Sequence, residues 1–198
     1  MDEVYSAASL AALAALPTDR PVSLLIRHSQ RVAILDPAKV YIAGLTPEGI
    51  SAAVEFGFGL AQYRTLRRIV SSPVSRCVDT AVAIARGAGW KQFVRIDNRL
   101  SHPFLQPVWQ SLPFIRYPDS PIPAELSTLL SFLSGEPGNE GVLDVFVTHD
   151  TVVGSLAGYV TGQPVNDGSV PNYLEGAFVW EEDHAFKVLW RGITTIIH

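Results

Sequence analysis

The sequence has few of the residues that would bind it to a metal, a disulfide partner or a nucleic acid. Among 198 residues there is one cysteine, Cys77, so no internal disulfide can form and a cysteine-based metal site is not expected. Charged residues make up 17% of the chain and the net charge is -4, which gives no reason to expect a nucleic acid as partner. Any anion-binding surface must therefore be local.

Long apolar runs are also missing. The alanine- and leucine-rich stretch 6–16 is too short to span a bilayer, and Asp2 and Glu3 stand where a signal peptide would carry positive charge. We therefore expect no membrane partner and a cytoplasmic location. A hydrophobic content of 47% over this length favours one globular domain spanning residues 1–198.

Strands and helices alternate along the chain, and the strands are apolar enough to be buried on both faces. The predicted helices are Val4–Leu16, Pro47–Tyr63, Val74–Arg86, Ala124–Leu133 and Thr151–Val160. The predicted strands are Val22–Ile26, Leu66–Val70, Phe93–Ile96 and Val142–Val147, with a closing hairpin of Tyr173–Trp180 and Ala185–Trp190. This order predicts an α/β fold, a three-layer sandwich around a mostly parallel central sheet. Residues 98–123, rich in proline and aromatics, are expected to form a lid or substrate loop.

Chemically active side chains come directly after the predicted parallel strands. They are Arg27, His28 and Arg31 after the first strand, Arg76 after the second, His102 after the third, and His149 with Asp150 after the fourth. Ligands of such sheets bind outside the carboxyl ends of the strands. We therefore expect these side chains to meet at one edge of the sheet.

This set of residue types favours a phosphate over a metal ion. Neighbouring guanidinium groups would repel a cation, and zinc needs three or four histidine, cysteine or carboxylate ligands. Three arginines suit the oxygens of a phosphate and remain charged at any working pH. A neutral imidazole among them can attack phosphorus in line while the arginines stabilise the equatorial oxygens.

Four segments resemble the motifs of the histidine phosphatase superfamily, the phosphoglycerate mutase-like group. Leu25–Arg31 is similar to its Arg-His-Gly signature and Leu45–Gly49 to its Leu-Thr-x-x-Gly segment. Ser72–Ala81 resembles its Ser-Pro-Leu-x-Arg-x-x-x-Thr-Ala helix start, and Val147–Asp150 resembles its second histidine segment. The resemblance implies a phosphoglycerate mutase-like fold and a phosphomonoesterase that needs neither a metal nor another cofactor.

The resemblance also implies a role for each matching residue. His28 would be the nucleophile that becomes phosphohistidine, Arg27 and Arg76 would clamp the phosphoryl group, and His149 would be a protonated fourth contact. Arg31 matches the acid phosphatase branch, where this arginine also binds phosphate. Asp150 matches the acid of that branch, and His102 stands where the mutase branch has a glutamate, so it would line the pocket.

The sequence departs from the family pattern at two points. Ser29 replaces the usual glycine after the nucleophile, which is acceptable if its φ is negative, and the chain has no room for the large helical cap of acid phosphatases. The expected partner is a small phosphate ester, with a phosphopeptide as a further possibility. A phospho-ligand-binding module with little catalysis and a mutase or phosphotransferase remain as alternatives, and the oligomeric state is left open.

Overall fold

In the computed structural model, which describes residues 9–101, 122–134, 140–163 and 170–198, seven strands form one mixed sheet. The strands are β1 Val22–Arg27, β2 Thr65–Ser71, β3 Arg95–Ile96, β4 Val142–Thr148, β5 Gly176–Glu182, β6 Ala185–Trp190 and β7 Ile193–Ile197. Their order across the sheet is β3-β2-β4-β1-β5-β6-β7.

The first four strands of the sheet are parallel, so their carboxyl ends lie at one edge. Arg27 at the end of β1 is in register with Thr148 of β4, and Ser71 at the end of β2 is in register with Val147. Strand β5 runs antiparallel to β1, and its first residue, Gly176, pairs with Ile26. The residues just before β5 therefore also reach the edge where the parallel strands end.

Helices cover both faces of the sheet. They are α1 Pro47–Tyr63, α2 Ser75–Gly87, α3 Ala124–Ser134 and α4 Asp150–Thr161. Successive residues of β1 point to opposite faces, so Leu24 joins the core that contains Phe56 of α1, whereas Leu25 joins the core that contains Leu129 of α3 and Val153 of α4. The predicted three-layer α/β fold with a mostly parallel sheet is confirmed, although β5, β6 and β7 form an antiparallel extension.

The start of α1 is held close to the loop that follows β1. Thr46 caps the helix by accepting a hydrogen bond from the Gly49 amide at 3.0 Å, and Pro47 occupies the first helical position. A Cβ atom at Gly49 would overlap the carbonyl oxygen of Gln30, so only glycine permits this approach. The Thr46 amide in turn donates to the Gln30 oxygen at 3.0 Å.

Most predicted elements are present, with corrections at the two edges of the sheet. The third strand is only Arg95–Ile96, because Phe93 is almost fully exposed and has no core to pack into. The sequence prediction missed β7 altogether. At the amino terminus, residues 9–12 are helical and Leu13–Ala15 form a 3-10 turn, while the first residues of the predicted helix lie outside the described part. No described helix has the length and apolarity to cross a bilayer.

Candidate active site

His28 follows β1 and is buried with one ring nitrogen fixed by the backbone. Its side chain is 2% exposed, and its Nδ1 lies 2.7 Å from the Ser29 carbonyl oxygen. A carbonyl can only accept, so Nδ1 carries the proton and Nε2 keeps its lone pair. Burial, together with the charges of Arg76 and Arg27, lowers the pKa of His28 to about 2 against the opposing effect of the Ser29 carbonyl. The imidazole is therefore neutral, as a nucleophile must be.

Arg76, in the first turn of α2, joins the two histidines of the site. Its Nε donates to His28 Nε2 at 3.0 Å, and its Nη2 lies 3.1 Å from His149 Nδ1. The third nitrogen, Nη1, donates to the Val40 carbonyl at 2.5 Å, which holds the guanidinium plane. Burial lowers the pKa of Arg76, and the nearby charges of Arg31 and Arg27 lower it further.

His149 sits between β4 and α4, with its ring edge-on to that of His28 at a centroid distance of 5.9 Å. Because a guanidinium has no lone pair, Nδ1 of His149 must accept from Arg76, and Nε2–H then points to the Ser72 hydroxyl oxygen at 3.0 Å. Ser72 orients the ring, and Cys77 Sγ packs 3.6 Å from its Nε2.

Arg27 and Asp150 form an ion pair at the edge of the site. Nη2 of Arg27 lies 2.9 Å from Oδ2 of Asp150, whose other oxygen accepts from the Thr151 amide at 2.8 Å. Nη1 of Arg27 donates to the Pro171 carbonyl at 2.6 Å. The buried Nε of Arg27 has no hydrogen-bond partner among the described residues, so a donor remains for a bound oxyanion.

Tyr173 belongs to the site and was missed by the sequence reasoning. The Arg27 guanidinium lies 4.3 Å from the centre of its ring, and the His28 ring lies 5.8 Å away. Tyr173 stands just before β5, in a segment that the buried Glu175 holds through the Asn172 amide at 2.7 Å and Arg191 at 2.7 Å. Tyr173 does not directly follow one of the parallel strands. It lies just before β5, and the antiparallel pairing of β5 with β1 brings it to this edge.

Two predicted site residues are not placed at the centre. The Arg31 guanidinium donates to the Val32 carbonyl at 3.0 Å. Its charge lies close enough to Arg76 to lower the pKa of that group. His102 lies outside the described residues, as do residues 103–121 of the expected lid. Of the other predicted residues, His28 and His149 are both hydrogen-bonded to Arg76, and the ion pair of Arg27 with Asp150 lies beside them.

Ser29, the residue after His28, fits without backbone strain. Ser29 is not among the residues with positive φ. Its amide donates to the Thr80 hydroxyl at 2.9 Å, and its own hydroxyl donates to the Gly49 carbonyl at 2.7 Å. Ser29 thus ties the His28 loop to both α1 and α2, which a glycine there would do only through its amide.

The arrangement can hold and transfer a phosphoryl group, and it offers little to a metal ion. Within the described ranges, no three histidine, cysteine or acidic side chains converge as metal ligands would. Two guanidinium groups and two imidazoles surround the same small volume, and such donors suit an oxyanion. A neutral imidazole beside an arginine that also contacts a second imidazole can attack phosphorus while the guanidinium stabilises the charge on the transferred group.

Comparison with known proteins agrees with this geometry. Residues 24–106 match the model of the histidine phosphatase superfamily, branch 1, a span that contains His28 and Arg76. A search of curated proteins finds no match.

Solved structures with the same fold include several phosphatases. The ecdysone phosphate phosphatase of Bombix mori, solved with tungstate, has a TM-score of 0.56 at 15% identity and covers 86% of this chain and 92% of its own. A mycobacterial glucosyl-3-phosphoglycerate phosphatase scores 0.54 at 18% identity, covering 87% and 98%. The putative phosphohistidine phosphatase SixA of Agrobacterium tumefaciens scores 0.54 at 18%, covering 83% and 92%. The family model match confirms the resemblance to the superfamily stated from the sequence, and the likeness to the solved structures shows a shared fold.

Proposed function

We propose, from the histidine phosphatase fold and the family match over residues 24–106, that this chain hydrolyses phosphomonoesters through a phosphohistidine at His28. The observation that carries the proposal is the Arg76 guanidinium, which lies within hydrogen-bonding distance of both His28 Nε2 and His149 Nδ1. One cation is thus shared by two imidazoles at the point where a phosphoryl group would bind.

In the first step, His28 Nε2 attacks phosphorus and a P–N bond forms as the bond to the ester oxygen breaks. The Ser29 carbonyl accepts from Nδ1–H throughout, so it stabilises the positive charge that develops on the ring. Arg76 and Arg27 turn their donors from the imidazoles and the loop carbonyl to the equatorial oxygens. Both guanidinium groups are half-buried and already flank the two imidazoles or Asp150, so the movement is a local one.

The leaving oxygen needs a proton, and we assign its supply to Asp150. Its side chain is 35% exposed, so the carboxylate can exchange protons with solvent. In the present arrangement Asp150 accepts from Arg27, and a phosphoryl group that draws Arg27 away leaves the carboxylate free to carry a proton. General acid catalysis of this kind contributes about 10²–10⁴-fold.

In the second step, a water attacks the phosphohistidine, the P–N bond breaks, and inorganic phosphate leaves. Asp150, now ionised, accepts the proton that the water gives up. His28 returns to its neutral form with the proton still on Nδ1. Once Arg76 turns to the phosphoryl oxygens, Nδ1 of His149 is released, and in its protonated form it donates to those oxygens in both steps while Ser72, 3.0 Å from Nε2, holds the ring.

The expected substrate is a small phosphorylated molecule, and the neighbours suggest which compounds to test. Structures with this fold include an ecdysone phosphate phosphatase, a glucosyl-3-phosphoglycerate phosphatase and a putative phosphohistidine phosphatase. A panel should therefore contain an apolar ester, a sugar phosphate, a phosphocarboxylate, a phosphopeptide and a phosphohistidine peptide.

Phosphate release from this panel, with EDTA present, tests the proposal. We expect turnover by the wild type and by His198→Ala, an exposed control histidine, and none by His28→Ala. Turnover that persists in His28→Ala would overturn the assignment of the nucleophile. Binding of the esters without turnover by the wild type would show a phospho-ligand-binding module instead.

A further inference from the structure

A second basic cavity lies beside β3, on the face of the sheet that α3 covers. Its volume is about 370 Å³, within the range of small-molecule sites. Arg68, Arg95 and Arg99 line it, with Asp97 as an acidic neighbour. None of the three arginines was among the expected site residues.

Arg68 forms part of the cavity wall, and one of its hydrogen-bond donors has no partner among the described residues. Its Nε donates to Asp144 Oδ2 at 2.8 Å, but the same buried carboxylate also binds Arg67 at 2.6 and 2.9 Å. One carboxylate therefore serves two guanidinium groups. Nη2 of Arg68 is buried and has no hydrogen-bond partner among the residues described.

Arg95 and Arg99 differ in how their charge is compensated. Arg99 is paired with Asp97 through two bonds of 2.6 and 2.9 Å, and it stacks on Phe132 at 3.6 Å, so it forms a neutral, rigid wall. Arg95 is exposed, and its guanidinium group makes no hydrogen bond or ion pair within the described ranges. The lining residues carry three positive charges against the single negative charge of Asp97, and that excess of cations attracts an anion.

The apolar part of the lining indicates what kind of anion fits. Val70, Ile96 and Phe132 share the cavity with the arginines. Inorganic phosphate would fill only part of this space, whereas an organic phosphate or carboxylate would place its carbon atoms against the apolar wall. Such a mixture of apolar lining and a few charged groups is common in small-ligand sites.

The cavity wall is connected to the catalytic residues through the backbone. The Asp97 amide donates to the Ser71 carbonyl at 2.9 Å, and Ser71 precedes Ser72, which bonds His149. The Thr148 hydroxyl donates to the Leu100 carbonyl at 2.5 Å, and Thr148 precedes His149. A ligand that shifts the 97–100 segment would therefore act on both supports of that imidazole.

We infer that this cavity is a second anion site, which binds a small organic phosphate or carboxylate between Arg95 and Arg68. The anion is either a separate effector molecule or a second charged group of the substrate. The inference does not depend on turnover at His28, because it rests on the cavity and its unpaired donors.

Titration with inorganic phosphate, followed by amide NMR signals, tests the inference. In the Arg76→Ala background, which weakens the catalytic site, the amides of residues 95–99 should still shift along a saturable curve. Adding Arg95→Gln should raise the dissociation constant of that curve at least fivefold. Arg86→Gln, an exposed arginine at the far end of α2, is the charge-matched control and should leave the curve unchanged.

Two results would overturn the second site. One is the absence of any shift at residues 95–99 in the Arg76→Ala background. The other is an equal loss of affinity in the Arg95→Gln and Arg86→Gln variants, which would show only a general effect of charge. Once binding is shown, KM distinguishes the two sources of the anion. If the anion is part of the substrate, Arg95→Gln raises KM only for substrates with a second anionic group. If it is a separate molecule, Arg95→Gln raises KM for no substrate.

Discussion

The Nε atom of Arg76 lies 3.0 Å from Nε2 of His28, so the donor that would stabilise a transferred phosphoryl group contacts the atom that would attack it. The contact requires a lone pair on Nε2, and the Ser29 carbonyl ensures it by holding the proton on Nδ1. The loop after β1 and the first turn of α2 therefore define one reacting centre.

Replacing Arg76 should abolish most activity without unfolding the chain. Arg76→Ala removes the donor shared by His28 and His149, and kcat/KM should fall by about 10³-fold. Arg76→Lys should lose nearly as much, because one ammonium cannot replace a planar group that contacts both rings. Steady-state kinetics on an aryl phosphate measures this, with Arg86→Ala on the same helix as control. A loss below tenfold in Arg76→Ala would contradict the assigned role.

Burial of neutral His28 should make the chain less stable at acid pH. Its pKa is about 2 in the folded chain and about 6.5 when unfolded, so between these values only the unfolded chain takes up the proton. The free energy of unfolding should therefore decrease as the pH falls below 6.5, by about 2 kcal/mol between pH 7.5 and pH 5 from this residue.

Urea unfolding at several pH values isolates this contribution. His28→Gln has no proton to take up at this position, so its stability should vary with pH by about 2 kcal/mol less than that of the wild type. His198→Ala removes an exposed histidine and should keep the pH dependence of the wild type. Parallel curves for His28→Gln and the wild type would show that the His28 pKa is not lowered.

Tyr173 should act as a positioning residue for Arg27. A cation–π contact of this kind is worth about 0.5–2 kcal/mol, so Tyr173→Leu should raise KM about twofold to thirtyfold while changing kcat less. Tyr173→Phe keeps the ring and should restore most of the affinity. Equal losses in the Phe and Leu variants would instead point to the hydroxyl group.

The sequence could predict the centre of the site because parallel strands end at one edge. The positions of Arg27, His28, Arg76 and His149 follow from that rule. Tyr173 did not follow from it, since it precedes a strand whose antiparallel pairing is decided by tertiary contacts. Strand β7 was missed for a related reason: Ile193–Ile197 has few buried side chains and is recognisable only by its pairing with β6.

Charge pairing was the least predictable part of the structure. The fourth strand reads as nearly continuous in apolar residues, yet the buried Asp144 within it binds Arg67 and Arg68 of the neighbouring strand. Arg31, which is expected to bind phosphate, donates to the Val32 carbonyl, a contact that the sequence did not indicate. Which arginine meets which acceptor depends on strand register, and a pattern of apolar residues does not specify that register to one residue.

The most direct test of the central claim is to trap the covalent intermediate. The wild type, His198→Ala and His28→Ala should be mixed briefly with a good substrate, quenched in alkali, digested and examined by mass spectrometry. A phosphohistidine survives alkali and is lost in acid, so we predict an alkali-stable, acid-labile phosphate on His28 in the first two proteins and none in His28→Ala. Turnover with no phosphate on His28, or with phosphate on another residue, would contradict the account.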